Sequence, residues 1–422
     1  VAIGAYQNDG NGTNAGHVRV YQYASGSWTK LGSDIDGEAA SDDSGFAVSL
    51  SSDGTIVAIG AYQNDGNGAD AGHVRVYKYT SGNWSKLGQD IDGEASGDAS
   101  GYSVSLSSDG TIVAIGARNN DGNGNDAGHV RVYQYASGSW TQLGSDLDGE
   151  AADDVFSYRL SLNDDGTILA IGGYHNDGNG ADAGHVRVYK YVSSNWSQVG
   201  SDIDGEAAGD GNGSSVSLSS DGTILAIGAI GNDGNGINAG HVRVYKNISD
   251  VWTKICTCGP DGGDIDGEAA GDINSKVSLS SDGKIVAIGA YYNNGNGADA
   301  GHVRVYEAVD LTVTLSVANT TVAESTGAVT VTATLNNAAA SCEVTVDLSF
   351  SGTATGGGTD YRMSSNSITI SAGTTTGTTT LTLIDDNIDE NDETVIIDIS
   401  SVTNATESGT QQATVTITDN DT

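Results

Sequence analysis

The 422 residues are enough for two or three domains with a sizeable core. Sixty-one glycines stand against one proline and one methionine, and Val, Ile, Thr, Tyr and Ser dominate the apolar and small-polar classes, a β-rich balance. Fifty-five acidic against 17 basic residues give a formal charge of −38. Such a chain repels nucleic acid and anionic membranes and attracts cations, and no apolar run approaches the roughly 20 residues of a membrane-spanning helix.

The chain opens at VAIGAY, in the middle of a pattern that recurs later. No leader-like segment is present, and the opening reads as a chain from which an upstream stretch is missing. The hexapeptide GHVRVY then occurs six times, its histidines at His17, His73, His129, His185, His241 and His302. The steps are 56, 56, 56, 56 and 61, the last lengthened by the CTCGPDGG insertion. Trp28, Trp84, Trp140, Trp196 and Trp252 keep the same spacing of 56. A catalytic histidine is needed once, so a repeated one is architectural.

Each repeat reads as four strands: a (GYSVSLS), b (TIVAIGA), c (HVRVYQYA) and d (SWTQLGSDLDG), separated by turn chemistry. Strand b is an unbroken apolar run, as in a strand covered on both faces. Strand c alternates, Val130 and Val132 on one side, His129, Arg131 and Tyr133 on the other. Radially stacked four-stranded units make a β-propeller. Strands b and c occur six times, a and d five times, so the expectation is an all-β, six-bladed propeller over residues 1–308. Seven blades is the alternative if a whole repeat lies upstream. SGYSVSLSSDGTIVAIGA followed by AGHVRVYQY resembles the FG-GAP repeat of integrin α-subunit propellers, a likeness covering residues 1–306. The Phe-Gly pair has become GF, GY or FS, and the proline of GAP is Tyr, Arg or Ile. The calcium loop that many such repeats carry between a and b is reduced to SSDG, so calcium is not carried over to it.

Between d and the next a, each repeat carries DIDGE or DLDGE, as in Asp90, Asp92 and Glu94 or Asp146, Asp148 and Glu150. The two Asp of one copy share a strand face and can bracket either a cation or an Arg of a neighbouring strand c, the Arg being the preferred partner. That face then needs donors to meet acids and carbonyls, the role expected of the repeated His, Arg and Tyr. The loop between b and c, NDGNGADAG, is either a calcium loop using Asp65, Asn67 and Asp70 or a set of glycine-demanding tight turns; Asp70 becomes Asn14 and Asn238 in other copies, which favours turns. His175 replaces Gln7 and Gln63 and reads as exposed rather than catalytic. Cys256, Cys258 and Cys342 cannot all pair within one chain, and a disulfide from the CxC to Cys342 stays open.

After Val305 the period stops, and alternating Val, Thr and Leu strands run to the end. A β-sandwich is expected over residues 309–422. The segment 311–421 is similar to a Calx-β domain, an immunoglobulin-like calcium-binding sandwich. The residues that carry the likeness are Glu324 in VAEST, the pair Asp360-Tyr361, IDDNIDENDET from 384 to 394, and the terminal TITDND. The resemblance implies a Ca²⁺ site in which Asp385, Asp386, Glu390, Glu393, Asp419 and Asp421 are carboxylate ligands, Glu324 and Asp360 outlying ones, and Ile388 a carbonyl donor. Asn420 stands where some members have a third Asp. Independently of the likeness, such a pile of like charge resists folding without a cation, and Ca²⁺ takes six to eight oxygen ligands.

Seven Asn-x-Ser/Thr acceptors, at Asn11, Asn83, Asn195, Asn212, Asn247, Asn319 and Asn404, fit a secreted glycoprotein. No nucleophile with an oriented base, phosphate loop or zinc cluster is found, so a non-enzymatic role is expected. The reading is an extracellular calcium-binding structural or adhesion protein, a cell-surface or filament component whose partners are other protein subunits or further copies of itself. The rival is glycan binding by propeller loops that present Tyr6, Tyr62, Tyr174 and Tyr291, a series interrupted by Arg118 and Ile230.

Overall fold

The computed structural model describes residues 1–255, 264–307, 311–337 and 343–421. Cys256, Cys258 and Cys342, and with them the disulfide question, lie outside the described residues. Two compact units result, one from Val1 to Lys254 and Asp266 to Tyr306, the other containing Glu307 onward. The only helical element among the described residues is a 3₁₀ turn, Glu324–Thr326.

The first unit is six antiparallel sheets in chain order. In the third repeat strand a is Ser100–Leu106, b Ile112–Ala117, c His129–Ala136 and d Ser139–Gln142, in that order across the sheet. The expected single strand d is in fact two pieces. After Gln142 the chain turns through Gly144 at φ +79°, and Leu147–Asp148 returns to pair with the start of strand c, Asp148 opposite His129. The positive φ, open to glycine at no steric cost, makes that break. The first sheet begins at strand b, and the last ends after strand c.

The sheets pack face to face as propeller blades. Ile56, Ala58, Val74, Val76 and Ile91 of the second repeat close on Leu106, Val113, Ile115 and Trp140 of the third, and the same positions one repeat later form the next seam. Strand b is apolar on both faces because it meets a neighbour on each side. The blades approach so closely at one point that a Cβ on Gly60 would lie 2.0 Å from the carbonyl oxygen of Gly101. Backbone bonds step from blade to blade at the a–b turns, Ser52 N–H to Ser108 O (2.9 Å), Ser108 to Asp164 (2.8 Å) and Asp164 to Ser220 (3.0 Å). Each tryptophan from the second repeat on donates its indole N–H to the preceding blade: Trp84 to Leu31 O, Trp140 to Leu87 O, Trp196 to Leu143 O, Trp252 to Val199 O.

The polar face of strand c also sits in these seams. Arg131 donates to Asp146 of its own repeat, Nε to Oδ1 at 3.0 Å and Nη2 to Oδ2 at 2.8 Å, and pairs with Glu94 of the repeat before. Arg75 does the same with Asp90 and Glu38, and Arg187 with Asp202 and Glu150. Arginine is thus the partner, as expected, but the two carboxylates come from different blades. In the second and third blades the second Asp of the motif lies instead beside the histidine, Asp92 at 3.9 Å from His73 and Asp148 at 4.0 Å from His129, whereas in the fourth it is the first, Asp202, at 3.8 Å from His185. The histidines of the second to fourth blades do not act as the expected donors. Their Nδ1 atoms stand 3.8–4.0 Å from carboxylates in the second to fourth blades, beyond hydrogen-bond reach, and neither ring nitrogen of the fully buried His185 has a partner. Burial is the dominant influence and holds the imidazoles of His73, His129 and His185 below their ordinary value of 6.5.

A pH dependence follows from that shift. The unfolded chain protonates these rings near pH 6.5, the folded chain only below it, so the stability they contribute is complete above that pH and declines as pH falls. Asp90, Asp146 and Asp202, held below the usual carboxylate range, lose theirs further down. Calorimetry is expected to show the first unit melting lower at about pH 5 than at about pH 7.5; an unchanged transition contradicts the buried neutral histidines.

The second unit is a sandwich of two five-stranded sheets. One orders Tyr361–Met363, Thr376–Leu383, Ala328–Leu335, Thr312–Val317 and Thr406–Glu407; the other Thr321–Ala323, Gln412–Thr418, Glu393–Thr403, Val344–Gly352 and Ser367–Ile370. Period-two alternation buries Val329, Val331, Ala333 and Leu335 against Val346, Ile397 and Val415, and leaves threonines outside.

Candidate metal centre in the sandwich

Strand pairing alone gathers the acids. Ala323 pairs with Thr418 in parallel, so Glu324 and Asp419 leave their strands at the same end. Glu393 lies opposite Ile417, and Tyr361 opposite Leu383, which sets Asp360 beside the start of the 384–392 loop. Ile384 N–H closes that corner on Asp360 O at 2.9 Å.

Glu324, Asp360, Glu390, Glu393 and Asp419 together line a cavity of about 10 Å³, completed by Ile384, Asn391 and Ile417. That is room for about one water-sized body. Asp385, Asp386 and Asp421 stand around it. The Asn420 side-chain amide donates to Asp385 Oδ1 at 3.3 Å, and its backbone N–H reaches Glu324 Oε1 at 3.4 Å. Asp386 Oδ1 accepts from Ile388 N–H at 2.8 Å, and Asp419 Oδ2 accepts from Glu390 N–H at 3.0 Å. Ile388 itself is on the outer loop, 59 % exposed. The structure therefore brings eight named carboxylates to one end of the sandwich, with Ile388 at its rim.

The electrostatics are those of acids without a counter-charge. Burial, then Asp360 and Glu390, push the Glu393 carboxyl up to about 7. Glu324 is raised by burial and by Asp419, Asp421 and Asp385, and Asp421 by burial and by Asp419, Asp385, Asp386 and Asp389. Asp421 Oδ2 is buried with no hydrogen-bond partner, which costs free energy unless a cation or proton meets it. A hard cation fits this all-oxygen donor set. Asp389 was not among the expected ligands, yet it interacts with both Asp419 and Asp421. Its signal was its place among six acids in IDDNIDENDET, a loop whose lack of period hides which of them turn inward.

Residues 308–421 match the family model of the Calx-beta domain. The second unit is a Calx-beta domain. Among solved structures, the apo-form Calx CBD1 domain is similar at 23 % identity, over 27 % of this chain and all of that one, with a TM-score of 0.24. The propeller domain of the Trilobed protease from Pyrococcus furiosus is similar at 11 % identity, over 88 % of this chain and 93 % of that one, TM-score 0.37. The tricorn protease is similar at 10 % identity, over 76 % of this chain and 31 % of that one, TM-score 0.35. No curated protein matches the chain. At these scores the solved structures carry no argument about function; the Calx-beta match does, for its own residues.

Proposed function

We propose that this is an extracellular, calcium-dependent structural or adhesion protein, assembled through protein–protein contacts. The observation that carries the reading is the uncompensated carboxylate cluster of the Calx-beta domain, with the buried, partnerless Asp421 Oδ2 within it. Glu324, Asp360, Glu390, Glu393 and Asp419 would hold Ca²⁺ in the cavity, with Asp385, Asp386, Asp389 and Asp421 around it. Bound, the ion supplies positive charge and fixes the loops that carry its ligands. The chain's sequons and acidity agree with an extracellular setting, and no helix among the described residues is long and apolar enough to cross a membrane. The FG-GAP likeness of the repeats belongs to this same reading.

Assembly is supported by the two end faces of the blade array. Val303 and Val305 of the last blade are 69 % and 66 % exposed, where Val74 and Val76 are fully buried by the next blade. The first blade exposes Ile3 and Trp28, whose counterparts Ile59 and Trp140 are buried against the blade before. One face is thus the complement of the other, and a second copy is the occupant we assign: a heterologous contact that propagates rather than closing. Light scattering and electron microscopy with calcium present test it. Concentration-dependent, end-to-end association is expected, lost in Trp28→Asp and Val305→Asp variants that still melt normally; a strictly monomeric protein would overturn the assembly.

Glycan binding by the propeller loops is the second reading. It is favoured by a chain of rings across the second to fourth blades: Phe46 to Tyr62 at 4.7 Å and to Tyr102 at 4.8 Å, Tyr102 to Tyr158 at 5.8 Å, Tyr158 stacked on Tyr174 at 4.9 Å.

A further inference from the structure

Arg118 departs from the electrostatic pattern of the hexapeptide arginines. The arginines of the repeated hexapeptide from the second to the fourth blade each hold carboxylates from two blades. Arg118, by contrast, makes no ion pair among the described residues of a protein with 55 acids. Its guanidinium lies over the Tyr102 ring, 4.1 Å from the centroid, and its Nε is sealed from solvent without a hydrogen-bond partner. Arg118 stands where neighbouring repeats have Tyr62 and Tyr174, so a cation interrupts the aromatic series at one blade only.

This cation lies between two depressions. One, of about 500 Å³, is lined by Arg118, Asn119, Tyr158, His175, Asp177 and Asp182 among others. The second, of about 290 Å³, is lined by Tyr62, Gln63 and Asp70 and again by Arg118 and Asn119. Arg118 and Asn119 line both, so the two depressions adjoin at these residues and form one groove. Tyr158 lines the larger half and Tyr62 the smaller. The rim is acidic: Asp126 and Asp153 join Asp177 and Asp182. His175 is held by Asp182, Nδ1 to Oδ1 at 2.5 Å, which fixes the ring at the wall. The other nearby cation, Arg159, also makes no ion pair among the described residues; its Nη1 donates to Tyr158 O at 2.7 Å and its guanidinium lies 4.7 Å from the Tyr158 ring centroid.

We infer that this groove binds an acidic oligosaccharide, with one sugar carboxylate on Arg118 and hydroxyl-rich rings on either side; the inference rests on the glycan reading of the propeller loops. An unpaired, pre-oriented guanidinium selects an anion with fork geometry. The surrounding aspartates accept hydrogen bonds from hydroxyls but repel a densely anionic ligand. The ligand must therefore be sparse in charge and rich in donors, which a largely neutral glycan with an isolated uronic acid satisfies and an acidic peptide does not. Tyrosine faces suit the apolar sides of sugar rings.

Isothermal titration of the full chain with an otherwise neutral oligosaccharide carrying a single glucuronic acid, with its methyl ester and with an oligoglutamate tests this. Chelator is present throughout, so that no calcium bridge to the sandwich contributes. The free acid is expected to bind about tenfold or more tighter than the ester. Arg118→Met is expected to bring the two together, and Arg118→Lys to restore part of the difference; no ion pair is broken, and loss of the contact with the Tyr102 ring lowers melting by only a few degrees, the size of a single cation–π contact. Tyr158→Ala weakens acid and ester alike. An acid-to-ester ratio that survives Arg118→Met overturns the assignment while leaving the glycan reading standing. Absence of binding to either sugar overturns both. Arg118-dependent binding of oligoglutamate as tight as the sugar's assigns the groove to peptide and overturns the carbohydrate class.

Discussion

Chelating divalent cations is expected to lower the melting temperature of the Calx-beta domain by about 10–20 °C while the propeller transition stays in place. The size follows from linkage: a ligand bound only by the folded state at about 100 times its Kd stabilises by about 2.7 kcal/mol, and a domain of this length shifts by roughly 4–8 °C per kcal/mol. The domain is the affected part because the carboxylates that push one another up, Glu324, Glu390, Glu393 and Asp421, all lie at one end of it. Two variants sharpen the test. Asp421→Asn and Glu393→Gln each remove a charge that repels its neighbours, so the chelated domain is expected to melt higher than wild type, and calcium to raise it less. A single-residue loss of that kind in an ordinary acidic loop does neither, because solvent already screens it. Differential scanning calorimetry of the full chain with calcium and with chelator reads both effects. Coincident wild-type scans would sink the metal centre.

The repeat arithmetic made the blades legible, and strand c's alternation correctly placed Val130 and Val132 in the core and Arg131 opposite them. The partition of DLDGE between blades was not legible, for a physical reason. Successive repeats carry the same text, so a carboxylate of one's own repeat and one of the preceding repeat are indistinguishable until the blades are stacked. Glu94 belongs to Arg131 of the next blade and Asp146 to Arg131 of its own, and only packing decides this. A histidine's donor chemistry is legible in the sequence but its burial is not, and desolvation holds His185 below its ordinary value with neither ring nitrogen partnered. In the sandwich, alternation with a period of two fixed the strands, whereas the ligand loop has no period, and Asp389 was passed over beside Asp386 and Glu390. The groove at Arg118 showed in the sequence only as an interruption, because an unpaired charge is defined by what surrounds it.

The same residue in the same motif should give opposite results at two positions, and this is the strongest test of the blade stacking. Trp140 is 3 % exposed and packs on Ile56, Val74 and Val76 of the preceding blade. Its indole N–H donates to Leu87 O at 2.7 Å. Gln89, where the first, third and fourth repeats have serine, clamps its backbone as well, Nε2 to Trp140 O at 2.8 Å and Trp140 N–H to Oε1 at 3.1 Å. Trp140→Ala is expected to cost about 3–5 kcal/mol, the usual range for truncating a buried large aromatic. Trp140→Phe keeps the ring but leaves the Leu87 carbonyl without its donor, at roughly 1–3 kcal/mol. Trp28 occupies the equivalent place in the first blade but is 57 % exposed, touching chiefly Tyr23 at 5.1 Å between ring centroids. Trp28→Ala should therefore cost less than about 1 kcal/mol in dilute protein, because the ring is already largely in water. At concentrations where copies associate, the difference between the two positions should narrow, because a second copy then covers Trp28 as the second blade covers Trp140. Urea melts of both alanine variants across a concentration series measure this directly. Equal costs at the two positions in dilute solution would mean that the exposed end face is already covered within one molecule.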